Sequence, residues 1–285
     1  MSRSVIDLFD SYISEVRCVD IGAMINEPDE AVGHGQRMAT FFQHPKVTVI
    51  GFEPQQDKCD DLNARHPNRK YLPHAVGDGA TRNFHTTKTG LSSSFFPVDR
   101  SITDALNFPA SAFEVSDTSE LATTRLDDVP DALECDFLKL DAECAEVMII
   151  ENARAVLANC TVAQVEVNFL PYREDAPVFR DVDKAISESG FLLHNLGLMG
   201  TNFAPWGVTG NSEKYISQLF AGDVIYTKDF RSFCDIPTDK LFRASAILTD
   251  IYLSYDLCGL ILRIIDQREG LATEAMYGEW FNSRP

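Results

Sequence analysis

Short runs of β-branched and aromatic residues alternate along this chain with stretches whose apolar positions recur at helical spacing. That alternation predicts a parallel sheet covered on both faces. Strands are predicted at Arg17–Ile21, Val47–Phe52, Lys70–Ala75, Asp136–Leu140, Thr161–Phe169, Phe191–Leu196 and Asp223–Thr227. The clearest helical pattern runs from Cys144 to Leu157, with Val147, Ile150, Ala153 and Leu157 on one side. Another follows Pro177 through Phe179, Val182, Ala185 and Ile186. The order is βαβαβ, a long excursion, then βαβ and two strands. This describes an α/β, doubly wound, mainly parallel seven-stranded sheet with an antiparallel edge strand.

Three regions depart from the alternation. Met1 to Val16 predicts an amphipathic helix with Val5, Leu8, Phe9, Tyr12, Ile13 and Val16 on one stripe. Thr86 to Leu121 is rich in Ser, Thr, Phe and Asp with weak periodicity, and an excursion of that length is usually a lid or a substrate-binding wall. Beyond residue 230, Leu241, Ala244, Leu248 and Ile251 form one stripe, and Leu257, Leu260, Ile261 and Ile264 another. The expectation is a main domain over 1–230 and a C-terminal helical appendage over 231–285.

Charge narrows the partners. The 43 acidic residues outnumber 25 lysines and arginines, for a net charge of −18, so a nucleic-acid backbone or an anionic membrane surface would be repelled. No apolar run is long enough for a membrane span, and the acidic N-terminus lacks the form of an export signal. Seven scattered cysteines with no CxxC pair read as reduced, buried thiols, and the expected location is the cytoplasm. The expected partner is a small-molecule or carbohydrate acceptor; a homo-oligomer is compatible with this composition. No HxH, HExxH or CxxC set is present, so a structural metal is not expected, although a loosely held magnesium needs only carboxylates.

The candidate chemistry sits at strand ends, where doubly wound folds bind ligands. The first strand ends in Val19-Asp20-Ile21-Gly22-Ala23, and Gly22 allows a ligand close to the backbone. The second ends in Gly51-Phe52-Glu53-Pro54, whose carboxylate suits the paired hydroxyls of a ribose. A dinucleotide site wants G-x-G-x-x-G facing a pyrophosphate. This turn has Asp20 before a single glycine and continues with Glu27, Asp29 and Glu30, acids that suit a sulfonium and an ammonium instead. S-adenosylmethionine therefore fits better than a dinucleotide, and a nucleotide-linked oxidoreductase is the third reading.

Taken in order, VDIGA (19–23), VIGFEP (49–54), YLPHAVGDG (71–79), LKLDAECAE (138–146) and VAQVEVNFLPYREDAPVFRDVD (162–183) resemble the FkbM family of class I methyltransferases. SSSFF (92–96), TTRLDD (123–128), QLFAGDVIYTKD (218–229) and the ending around AILTDIYLSYDL (246–257) extend the resemblance over nearly the whole chain. It implies that Asp20, Gly22 and Ala23 line the cofactor's amino-acid end, that Glu53 holds the ribose, that Ala75, Val76 and Asp78 lie beside the adenine, and that Asp141 stands at the active-site rim. Two departures stand out. Asn26 occupies the place of a second glycine, and Glu143-Cys144 replaces Gln-Gly in a D-x-Q-G-x-E pattern.

Transfer of a methyl group to a hydroxyl depends mostly on alignment and needs a base for the proton. Glu166 is the first candidate, because Gln164, Glu166 and Asn168 share one face of a strand that should be apolar on both. The bland alternative pairs Glu166 with Lys139 on the neighbouring strand. Asp141 and Glu143 could orient the acceptor, hold a divalent ion or favour the next helix start. Among His74, His85 and His194, all ordinary packing or surface candidates, His85 is favoured because it precedes the excursion. Ser92, Ser93 and Ser94 could bind a polar acceptor, and Phe95, Phe96, Phe169, Tyr172 and Trp206 could wall it or simply pack. The sequence thus points to O-methylation of a sugar, glycolipid or secondary metabolite; the alternative is a cofactor-binding, inactive module, motivated by Asn26 and Cys144.

Overall fold

The computed structural model describes residues 4–23, 33–90, 92–105, 110–200 and 218–284. Seven strands form one sheet in the order β3-β2-β1-β7-β8-β10-β9. They are β1 (Val16–Ile21), β2 (Val47–Phe52), β3 (Lys70–Leu72), β7 (Phe137–Leu140), β8 (Val162–Asn168), β9 (Phe191–Gly200) and β10 (Ala221–Lys228). β1, β2, β3, β7 and β8 pair in parallel, and β10 runs antiparallel to both β8 and β9. The antiparallel strand therefore lies inside the sheet, and β9 takes the edge, where Leu193 and Leu196 are exposed. Chain order alone does not say which of the last two strands meets β8. The helix α7 (Phe179–Ser187) carries the chain past one strand width, and β10 returns into the gap.

The sheet's two faces have separate cores. Val16, Cys18, Val49, Phe137 and Val162 point to one face, packed with Val5, Phe9 and the C-terminal helices α8 (Thr238–Asp250) and α9 (Tyr255–Glu269). Val19, Ile21, Leu138, Leu140, Ala163 and Val165 point to the other, covered by α5 (Glu146–Glu151), α6 (Arg154–Asn159) and α7. This alternation explains why the central strands read as near-continuous apolar runs. Gln164 breaks that run without facing a ligand: its Oε1 accepts from the Tyr252 hydroxyl at 2.8 Å, beyond the end of α8. No helix among the described residues is long and apolar enough to cross a membrane.

Several local expectations change. The N-terminal helix α1 spans only Val5–Leu8, Val16 already belongs to β1, and Tyr12 is exposed. The run from Cys144 to Leu157 is two helices, because the Asp127 carboxylate accepts the Ala155 and Val156 N–H groups and starts a new helix at Arg154. In α9 the buried stripe is Cys258, Ile261, Leu262 and Ile265, while Leu260 is exposed. A further helix, α10 (Thr273–Asn282), follows; α2 (Gly33–Phe41), α3 (Gln56–Arg65) and α4 (Arg100–Ala105) lie earlier in the chain. The excursion over 86–121 is bounded by β5 (Thr81–Thr87) and β6 (Val115–Thr124), antiparallel partners that, with β4 (Ala75–Val76), make a small second sheet. Most of β5 and β6 is exposed and polar, so no alternation marked them.

Leu248 is fully buried where α8 meets the sheet, whereas Leu260 is 38% exposed. Leu248→Ala should lower unfolding free energy by about 2–5 kcal/mol in urea titrations. Leu260→Ala should stay within about 0.5 kcal/mol of wild type.

Candidate active site

The ends of β1 and β7 approach too closely for a side chain at residue 22. Gly22 has φ +74°, and a Cβ there would lie 1.7 Å from the Asp141 carbonyl oxygen. Asp141 N–H in turn donates to the Ile21 carbonyl at 3.1 Å. Beside this junction opens a cleft of about 260 Å³ whose walls include Gly22, Glu53, Ala75, Val76, Asp141 and Glu166. Six of the residues singled out from sequence thus meet in one place. Phe52, His74, Ser92, Ser93, Phe95 and Glu143 complete much of the lining.

The remaining candidates lie elsewhere. Asp20 is buried at the end of β1, paired with Lys139, and is not among the residues lining the cleft. Ala23 packs with Cys59, Leu62 and Tyr71. Asp78 binds Arg82 and Thr123, and that Arg82 partner holds its carboxyl well below the usual range. His85 contacts Thr118 at 3.0 Å, and its backbone pairs with Ser94, so it positions the serine segment without lining the cleft. His194 bonds Ser254 at 2.7 Å. The Phe169 ring lies tilted against Phe179, and Tyr172 packs with Phe113 and Phe220. Asn26, Glu27, Asp29, Glu30 and Trp206 lie outside the described residues.

Strand register decides the charge pattern. Asp20 and Gln164 flank Lys139 on β1 and β8, and Glu166 lies opposite Asp223 on β10. Lys139 Nζ stands 3.2 Å from Asp141 Oδ2 and 3.5 Å from Asp20 Oδ1, and no ion pair to Glu166 exists among the described residues. Burial opposes the charge on Lys139, but Asp141, Asp20 and Asp223 outweigh it and raise its pKa. Burial, reinforced by Asp141, Glu143, Glu146 and Asp223, pushes the Glu166 carboxyl well above the ordinary range. Burial likewise raises Glu53.

Three features escaped the reading of the sequence. Arg173, buried, donates to Glu143 Oε2 at 3.0 Å and to the carbonyls of Phe96 at 3.0 Å and Ser92 at 2.8 Å. It thereby ties the excursion's start to the end of β7. His34 on α2 meets Asp223 at 3.0 Å. Lys139 lies among aspartates. Arg173 and His34 have no local signal, since the partners named lie far away in the chain; Lys139 has Asp141 two residues on, but Asp20 and Asp223 are distant. No cluster of three or more metal-ligating side chains occurs among the described residues.

A doubly wound sheet in this strand order, with a glycine turn, an acid at the second strand end and a cleft between them, is the class I methyltransferase fold. The chain belongs to the FkbM methyltransferase family: residues 20–193, more than half its length, match the model of the Methyltransferase FkbM domain. S-adenosylmethionine is therefore its cofactor. Among curated proteins, none matches the chain. Similar solved structures include a TehB-like S-adenosylmethionine-dependent methyltransferase from Corynebacterium glutamicum, 14% identical, covering 79% of this chain and 87% of that one with a TM-score of 0.35. An S-adenosylmethionine-dependent methyltransferase from Mesorhizobium loti is 10% identical over 79% and 98% of the two chains, with a TM-score of 0.35. The N-terminal domain of EvdMO1 with S-adenosylhomocysteine bound is 6% identical over 79% of each chain, with a TM-score of 0.36. Likenesses this distant say nothing about the acceptor.

Burial raises Glu146 to about 8, while its Oε1 accepts the Ala142 N–H at 2.8 Å. The folded protein keeps a proton that the unfolded chain releases near pH 4.3, so this contribution to stability is complete at low pH and lost as pH rises toward 8. His66 and His194, held low mainly by burial, act in the opposite sense. The informative quantity is therefore the difference between variants. Between pH 5 and 8, calorimetric unfolding should show Glu146→Gln gaining on wild type by on the order of 2 kcal/mol.

Proposed function

We propose that this protein transfers a methyl group to a hydroxyl of a small acceptor such as a sugar, glycolipid or secondary metabolite. The observation that carries the reading is Glu166, a carboxyl in the cleft wall that Lys139 does not neutralise. The cofactor, when bound, supplies a methyl group already activated on a sulfonium sulfur.

The residues present fit such a group. Gly22, lacking a Cβ, lets the Asp141 backbone close against the end of β1 and borders the cleft, and Glu53 faces the same cleft with its Oε1 accepting the Gln55 N–H at 2.9 Å. In this reading Glu53 takes the ribose hydroxyls, Ala75 and Val76 flank the adenine, and Gly22 and Asp141 border the amino-acid end. The wall made by Ser92, Ser93 and Phe95 faces the acceptor. Glu166 would take the proton of the acceptor hydroxyl whose oxygen receives that methyl group. Its raised pKa makes it a strong carboxylate base, ionised only toward higher pH. The net charge of −18 favours an uncharged acceptor in aqueous surroundings over nucleic acid.

Glu53→Ala should weaken S-adenosylhomocysteine binding by about 1.5–3 kcal/mol in isothermal calorimetry. Unchanged affinity would remove the ribose assignment. With sugar and polyol acceptors, S-adenosylhomocysteine release should rise with pH in wild type. Glu166→Gln should cut kcat about 10²–10⁴-fold and abolish that rise, leaving cofactor affinity nearly intact. Equal loss of turnover and binding would make Glu166 a structural acid.

A further inference from the structure

We propose that Lys139 binds the α-carboxylate of the cofactor's amino-acid end, with Asp20 and Asp141 facing its ammonium. The inference deepens the proposed placement of the cofactor in this cleft and rests on it. Lys139, Asp20 and Asp141 project to the same face: Lys139 is in register with Asp20, and Asp141 follows two residues later on the same chain.

The three side chains are incompletely matched to one another. An ammonium offers three N–H donors. Lys139 donates to Asp141 Oδ2 at 3.2 Å, while Asp20 Oδ1 at 3.5 Å makes an ion pair only. That Asp20 oxygen is buried without a hydrogen-bond partner among the described residues. Buried carboxylate oxygens are seldom left so, which argues for a donor from outside the protein.

The signs of charge narrow what that ligand can be. A plain cation drawn by Asp20 and Asp141 would be repelled by Lys139. A plain anion drawn by Lys139 would meet two aspartates. A group with ammonium and carboxylate on one carbon satisfies both, and the methionyl end of the cofactor is such a group. Asp141 borders both the cleft and Lys139, and its side chain is 40% exposed, so the zwitterion reaches the lysine from the adenosyl side.

Calorimetry with three ligands tests this: S-adenosylhomocysteine, its decarboxylated analogue, and 5′-methylthioadenosine, which lacks the amino-acid end. Wild type should bind S-adenosylhomocysteine about 10-fold or more tightly than the decarboxylated analogue. Lys139→Met should erase that preference while leaving 5′-methylthioadenosine within about 2-fold, and Lys139→Arg should restore part of it. Equal wild-type affinity for the first two ligands overturns the proposal without any variant, so a poorly folding Lys139→Met leaves the test intact. A uniform loss for all three ligands in a folded Lys139→Met overturns it as well. If Glu53→Ala affects none of the three, the cofactor's location fails and the proposal with it. If Glu53→Ala weakens all three and the carboxylate is ignored, the Lys139 assignment alone fails.

Discussion

An ammonium group taken out of water needs compensating charge, and aspartates on β1, at the end of β7 and on β10 supply it around Lys139. Asp141 lies at 3.2 Å, Asp20 at 3.5 Å, and Asp223 adds to the same field from β10. Removing the lysine would leave aspartates on adjacent strand ends repelling one another in a partly desolvated site. The arrangement depends on register, since one residue of slip in β7 would turn Lys139 to the opposite face, against Ile149 and Leu157. Apolar packing fixes that register: Phe137 and Leu138 are each fully buried, one on either side of the sheet. Hydrophobic alternation thus determines which charges meet, and the charges determine what the cleft attracts.

A second buried cation shapes the opposite wall. Arg173 follows β8 and gathers two carbonyls of the 92–96 segment and the Glu143 carboxyl. Ser94 Oγ adds a 2.6 Å bond to the Glu143 carbonyl. These contacts close around a strained turn, because Glu143 and Cys144 both have positive φ, at 49° and 79°. Such conformations cost of order 1–3 kcal/mol each for non-glycine residues. Burial raises Glu143 to about 7 even though Arg173 pulls the other way. The cleft therefore has one wall set by strand register and one set by side chains gripping an irregular segment.

That division explains what could be read from the sequence. β1, β7 and β8 are largely buried on both faces and, with the mostly apolar β2, stand out as apolar runs, so the strand ends bearing Gly22, Glu53, Asp141 and Glu166 could be placed on one edge. Pairings across strands could not. The pair of Glu166 with Lys139, the alternative to a base, does not form: the register sets Lys139 opposite Gln164 and Glu166 opposite Asp223. Gln164 looked like part of the polar edge until the C-terminal helices brought Tyr252 to it. β5 and β6 stayed invisible because little of either is buried. Arg173 lies some 80 residues from the carbonyls it holds, and nothing local marks it.

Cys144 brings the turn's strain and the family pattern together. The family pattern that the sequence resembles has glycine there, and at a φ of +79° glycine would sit without cost from a Cβ. The cysteine departs from the pattern without entering the cleft. Its side chain packs with Phe113, Tyr172 and Phe220, and its sulfur accepts from Asn168 Nδ2 at 3.2 Å. Thus Asn168, polar on a buried strand, has its partner because residue 144 carries a side chain. Glycine at this position would relax the backbone but empty that contact and thin the cluster behind Arg173. The exchange sets turn strain against packing, on the side of the turn that no cofactor or acceptor touches in the proposed arrangement. As a reason to think the protein inactive, Cys144 carries little weight.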